Sequence, residues 1–154
     1  MNNLEIYIPL PADYLQIIKV WEASVRATHH FLAEEDILDY KSLIYNEYLH
    51  QVDLYCAVDD NQIIAFMGIN EDMIQMLFVH PDARSKGVGK KLIEFAIDQK
   101  NITKVDVNEQ NEQAVGFYER MGFSVSERSA YDASGKPYPV LSMELVKQPF
   151  FINF

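Results

Sequence analysis

Met76-Leu77-Phe78-Val79-His80-Pro81-Asp82-Ala83-Arg84-Ser85-Lys86-Gly87-Val88-Gly89-Lys90-Lys91-Leu92 runs from an apolar strand through a proline break into a glycine-bearing loop and the start of a helix. Two glycines remove side chains where a ligand must approach the backbone. The free N–H groups at the start of the helix then point outward and favour an anion. Arg84, Lys86, Lys90 and Lys91 add a local positive island. A phosphate or pyrophosphate is the natural guest. Solvated lysines at a helix N-terminus are the alternative. A magnesium-binding P-loop needs Ser or Thr after Gly-Lys, and here Lys91 follows Lys90. A dinucleotide fingerprint needs a third small residue, and here Leu92 stands in its position.

Working outward, Met73 to Val79 reads as a strand, and Gly87 opens a helix with Leu92, Ile93, Ala96 and Ile97 on its apolar face. Upstream, Leu54–Val58 and Gln62–Ile69 flank the turn Asp59-Asp60-Asn61 as a hairpin. Asn70-Glu71-Asp72 turns the chain into the next strand. Leu4–Ile8 alternates as a first strand. Pro11-Ala12-Asp13 opens a helix with Leu15, Ile18, Trp21 and Val25 as its inner face. Glu34-Glu35-Asp36 opens a second helix, with Ile37, Leu38, Leu43, Ile44 and Tyr48 expected inside. Downstream, Lys104–Asn108 is a strand, and Asn111–Met121 is a helix that Gly122 ends. Phe123–Ser126 and Val140–Leu145 are two late strands. The order is β-α-α-β-β-β-α-β-α-β-β, a mixed α/β or α+β single domain. Met73 to Asn108 is expected to be a right-handed parallel crossover.

The chain has 154 residues, 49% of them apolar and 23% charged, which fits one globular domain. Thirteen bases face 23 acids, for a net charge of −10. That balance argues against nucleic acid and anionic membrane as partners. No stretch has the length of a membrane span, and the first residues lack the pattern of a signal peptide. One cysteine, Cys56, excludes a disulfide framework and reads as a core residue. The four histidines lack metal-ligand spacing, so no metal is expected. A cytoplasmic setting is expected. The apolar end Pro149–Phe154 packs on its own domain or marks a dimer contact, so monomer and homodimer both stay open.

Arg84-x-x-Gly87-x-Gly89, after Met76–Val79 and Pro81, resembles the acetyl-CoA-binding motif of the GNAT N-acetyltransferase superfamily. Asn108-x-x-Asn111-x-x-Ala114-x-x-Phe117-Tyr118-x-x-x-Gly122-Phe123 resembles its second motif. The two stand in the family's order and at its usual separation. Ala27-Thr28-His29-His30-Phe31-Leu32 further resembles small stand-alone bacterial members. The resemblance implies a GNAT-like fold over residues 1–154. That fold is a mixed, mostly antiparallel sheet of about seven strands, flanked by about four helices, with a splayed parallel strand pair.

The resemblance implies acetyl-CoA as co-substrate and direct transfer to a primary amine in a ternary complex. It sets the pyrophosphate on the amides of Ser85, Lys86, Gly87, Val88, Gly89 and Lys90 beside Arg84, and the pantetheine along Leu77, Phe78 and Val79. The amide of Leu77 or Phe78 would stabilise the oxyanion. Tyr118 is the candidate general acid toward the CoA thiolate. Asn111, Ala114 or Val115, and Tyr118 share a helical face that would look into the cleft, while Phe117 and Met121 pack inward. Asn108 and Asn111 would hydrogen-bond CoA or water; a strand end and a helix N-cap are their structural roles.

The base is open among Glu71, its neighbour Asp72, His29, the adjoining His30 and a water chain. Thr28, His29 and Phe31 are candidate acceptor-site residues. The acceptor side would be built from Thr28 to Tyr48 and Ala130 to Tyr138. The acceptor is a small-molecule amine or a protein amine, and the acidic chain favours a cationic one. A non-catalytic acyl-CoA-binding module and a regulatory partner bound through the aromatic tail are the alternative readings.

Overall fold

The computed structural model describes residues 4–146, so the Pro149–Phe154 tail lies outside the described residues. Seven strands and four α-helices follow one another along them in the order β-α-α-β-β-β-α-β-α-β-β. The chain divides into two compact units at Ile102/Thr103.

In the first unit, strands β1 (Glu5–Tyr7), β2 (Asp53–Asp59), β3 (Gln62–Asn70) and β4 (Met73–Val79) pair in that order, each antiparallel to the next. Helix α1 (Tyr14–Thr28) follows a single 3-10 turn at Pro11–Asp13. Proline suits that first turn because its missing N–H would have no partner there. Helix α2 (Glu34–Asn46) starts with three acids in its first turn, as its dipole favours. Ile17, Ile18, Trp21 and Val25 of α1 meet Ile37 and Ile44 of α2 and Leu54, Cys56, Ile63 and Phe66 of the sheet in one buried cluster. Tyr55 meets Phe95 of helix α3 (Val88–Lys100), with ring centroids 5.1 Å apart.

Two expected core positions are corrected. Leu15 is 54% exposed and Leu38 is 52% exposed. The buried arc of α1 is centred on Ile17, Ile18 and Trp21, and Leu15 falls two residues, about 200°, from Ile17. Leu15 and Leu38 instead line an open groove of about 270 Å³ with Ile18 and Tyr45.

A register shift marks β3 and β4. Gly68 pairs with Met76 and Ile69 with Ile74, so Gln75 of β4 is the extra residue of a β-bulge. A Cβ at Gly68 would lie 2.9 Å from both Met76 Cε and Val52 Cγ2. The methionine end can swing away, but the branched valine cannot. Gly68→Ala is therefore expected to lower stability by about 1–3 kcal/mol, read as a lower denaturant midpoint; an unchanged midpoint would show that this approach relaxes freely.

In the second unit, β5 (Lys104–Asn108), β7 (Val140–Leu145) and β6 (Phe123–Ser129) pair antiparallel with β7 in the middle. Helix α4 (Glu112–Arg120) lies between β5 and β6 in sequence. Gly122 follows it with φ of 102°, a positive value that a side chain would resist. No helix among the described residues is long and apolar enough to cross a membrane.

Candidate active site

In the first unit, β4 leads directly to the glycine loop. The His80 N–H donates to the Ile64 carbonyl, and its Nδ1 accepts from the Asp82 N–H at 3.1 Å, which fixes the turn at Pro81–Ala83. Ser85 (φ 64°) and Gly87 (φ 80°) then adopt left-handed backbone conformations. Gly87 is the N-cap of α3, and no side chain caps that helix. The backbone N–H groups from Ser85 to Lys90 consequently donate to nothing among the described residues, and the Lys91 N–H is the first to close a helical bond, to the Gly87 carbonyl. Buried Val88, Leu92 and Ile93 anchor the helix beneath them.

This loop fits a pyrophosphate. Its amides are unspent, no acid stands in the first turn, and Lys86, Lys90 and Lys91 are exposed beside it. A Cβ built on Gly87 would meet nothing within 4 Å, so the glycine serves the backbone conformation there rather than a close packing contact.

The loop after α1 brings His29 to β4. The His29 ring lies 5.2 Å from the Phe31 ring and 6.4 Å from that of Phe78, and Phe78 also contacts Trp21 and Phe66. Arg26 pairs with Glu22 at 2.9 Å and with both carboxylate oxygens of Glu34 at 2.7 Å, tying the end of α1 to the start of α2 on either side of this loop. Burial pulls the His29 imidazole down to a pKa of about 4, with the charge of His30 adding to the effect. The unfolded histidine takes up its proton near 6.5 and the folded one only near 4, so stability falls as pH is lowered through that window. His29→Phe should remove this loss. The gap in melting temperature between variant and wild type should shift in the variant's favour from pH 7.5 to pH 5, and a constant gap would refute the assignment.

Glu71 is not brought to this cluster. It sits exposed in the β3–β4 turn with φ of 58°. The rise of β4 sets Met73, already two residues past it, about 13 Å from Leu77.

In the second unit, Asn111 caps α4. Its side-chain oxygen accepts from the Ala114 N–H at 3.3 Å. Asn108 Oδ1 accepts from the Gln110 N–H at 2.9 Å. Both asparagines therefore spend their oxygens locally, and their side-chain NH2 groups make no bond among the described residues. Glu109 forms a two-point ion pair with Arg128 at 2.6 and 3.1 Å. The loop near Ala130–Tyr138 is organised by Asp132, whose carboxylate accepts from the Ser134 and Lys136 N–H groups.

The expected division of α4 is corrected. Tyr118, 5% exposed, is the buried residue of the helix, while Phe117 and Met121 are half-buried. Edge contacts with Phe117 at 5.3 Å and Phe123 at 5.9 Å hold the Tyr118 ring. Its hydroxyl makes no hydrogen bond among the described residues, yet no side-chain polar atom is fully buried without a partner, so the hydroxyl reaches solvent. Desolvation alone raises its pKa. The phenol stays protonated across the physiological range.

Two features escape the sequence reading. Gln75 as a bulge leaves only a faint trace, where the alternation Ile74-Gln75-Met76 gives way to the continuous run Leu77-Phe78-Val79. Ser24 is the one buried polar side chain among the described residues, and its backbone carbonyl accepts from the Thr28 hydroxyl.

A family model described as an acetyltransferase (GNAT) domain matches residues 50–125. The chain is 40% identical over 129 residues to the peptidyl-lysine N-acetyltransferase YjaB of Salmonella typhimurium, covering 83% of this chain and 88% of that one. The solution structure of apo YjaB from Escherichia coli superposes with a TM-score of 0.86 at 37% identity, over 94% of this chain and 99% of that one. The PaiA N-acetyltransferase of Thermoplasma acidophilum, solved in complex with coenzyme A, shares the fold at a TM-score of 0.72 and 21% identity, over 92% and 99% of the two chains. With the mixed strand-and-helix order and the open glycine loop, these likenesses make the chain a member of the GNAT family, an N-acetyltransferase that takes its acetyl group from acetyl-CoA.

Proposed function

We propose that the chain acetylates lysine side chains of proteins, as a single acetyltransferase domain over residues 1–154. The observation that carries the donor half is the run of unpartnered amides from Ser85 to Lys90. The acceptor half is supported by the 40% identity to a peptidyl-lysine N-acetyltransferase over most of both chains.

In this reading the loop amides and Arg84 hold the pyrophosphate, and Leu77–Val79 align the pantetheine. Asn108, Asn111, Ala114 and Phe117 contribute to holding the coenzyme, with the free NH2 groups of the two asparagines as donors. The lysine ammonium first loses a proton to become the free amine. Its nitrogen attacks the thioester carbonyl, and the amide of Leu77 or Phe78 stabilises the oxyanion. The tetrahedral intermediate collapses as the C–S bond breaks and the nitrogen gives up its second proton. Tyr118 donates a proton to the departing CoA thiolate and is reprotonated from solvent. The products are an N-acetyl-lysine, free CoA and one net proton. Transfer is direct. Cys56 is buried and its thiol is pushed up to about 12, which disfavours an acetyl-cysteine route.

The test is CoA release on mixing the protein and acetyl-CoA with lysine-containing peptides, and separately with a polyamine and an aminoglycoside. Acetylated lysine found by mass spectrometry is the expected result. Turnover of the small amines alone would move the acceptor to that class.

A further inference from the structure

Thr28 and His29 are joined at 2.7 Å, from Thr28 Oγ1 to His29 Nδ1. The same hydroxyl oxygen lies 2.8 Å from the Ser24 carbonyl, one helical turn back. A threonine hydroxyl has a single hydrogen. Given to the Ser24 carbonyl, it leaves the oxygen to accept from His29, so Nδ1 carries the ring's proton. Given instead to Nδ1, it abandons the carbonyl bond. Only the first arrangement uses both contacts. It makes His29 the Nδ1–H tautomer and leaves Nε2 with an open lone pair. That nitrogen has no hydrogen-bond partner among the described residues and is not fully buried, so it reaches solvent. The ring contacts those of Phe31 and Phe78, and Phe78 belongs to the strand assigned above to the thioester.

We propose that His29 Nε2 accepts a hydrogen bond from the acceptor amine and aims its nitrogen lone pair at the thioester, with Thr28 as the positioning residue that fixes the tautomer. This inference rests on the acetyltransferase reading. A ring so reluctant to protonate orients the amine rather than storing its proton. The ligand class is a primary amine with an N–H to donate to Nε2, which a lysine side chain satisfies once it has lost its ammonium proton.

The direct readout is the long-range 1H–15N correlation of the His29 ring in labelled wild-type protein at pH 7. A protonated Nδ1 and a bare Nε2 are expected; a protonated Nε2 would overturn the proposal. Thr28→Val keeps the shape and removes the hydroxyl. It should mix the tautomers and raise the KM for a lysine peptide about tenfold, the value of one hydrogen bond, while leaving the KM for acetyl-CoA unchanged. His29→Gln, which can offer an oxygen near the Nε2 position, should retain more activity than His29→Phe. Equal losses in the two, or a Thr28→Val effect on acetyl-CoA alone, would refute it. Wild-type protein that binds acetyl-CoA and turns over no amine would instead sink the functional reading itself, and the acceptor role with it.

Discussion

Tyr118→Phe should lower kcat for acetyl transfer about 100-fold, within the usual range for loss of a general acid. The coenzyme's affinity should stay within about twofold. The variant keeps the ring that packs against Phe117 and Phe123 and loses only the oxygen. That oxygen spends no hydrogen bond on the protein, so its removal costs the fold little. Its proton is held tightly because burial raises the phenol's pKa above its ordinary value of 10.0. The donor is consequently present at every working pH, and alkaline loss of kcat below about pH 10 should not arise from this group. Steady-state rates with isothermal titration of acetyl-CoA decide the matter. An unchanged kcat would remove Tyr118 from the proton transfer. A fall in kcat with an equal fall in kcat/KM is the signature of an interaction made in the transition state.

Gly89→Trp should abolish the measurable affinity for acetyl-CoA. Gly89 is the second residue of α3, inside the run of amides that donate to nothing. An indole there covers the neighbouring N–H groups. Hydrogen bonds to a charged group contribute about 1.5–3 kcal/mol each. Losing two therefore weakens binding by about 100-fold or more. The helix itself should survive, because tryptophan is a better helix former than glycine. Unchanged far-ultraviolet circular dichroism with no calorimetric heat is the expected pair of results. Undiminished binding would show that the pyrophosphate sits elsewhere.

Much of the fold was legible in the sequence because the strong local signals agreed with one another. Strand β4 and helix α3 were bounded by Pro81 and Gly87, residues whose backbone preferences act without help from tertiary contacts. Asn111 and Gly122 marked the two ends of α4 for the same reason. Leu15 and Leu38 were misread because helical spacing gives the width of an apolar stripe but not which edge of it meets a neighbour. The inward residue of α4 was misread for a related reason. Spacing put Tyr118 on one face with Asn111 and Ala114 or Val115, but did not say that the aromatic ring on that face would be the part buried.

The sequence by itself determined the order of elements, the glycine turn that opens α3 and the family. These depend on residue types at fixed spacings, and backbone physics reads such spacings locally. Tertiary structure alone decided the rest. The Gln75 bulge exists only in the register between β3 and β4, where Gly68 admits Met76 at close range. The raised pKa of the Tyr118 phenol follows from packing its ring against Phe117 and Phe123. The state of His29 follows from a hydroxyl shared with the Ser24 carbonyl and from the loop that lays its ring beside Phe78. Protonation and orientation are properties of surroundings, and those surroundings are assembled from residues far apart in the chain.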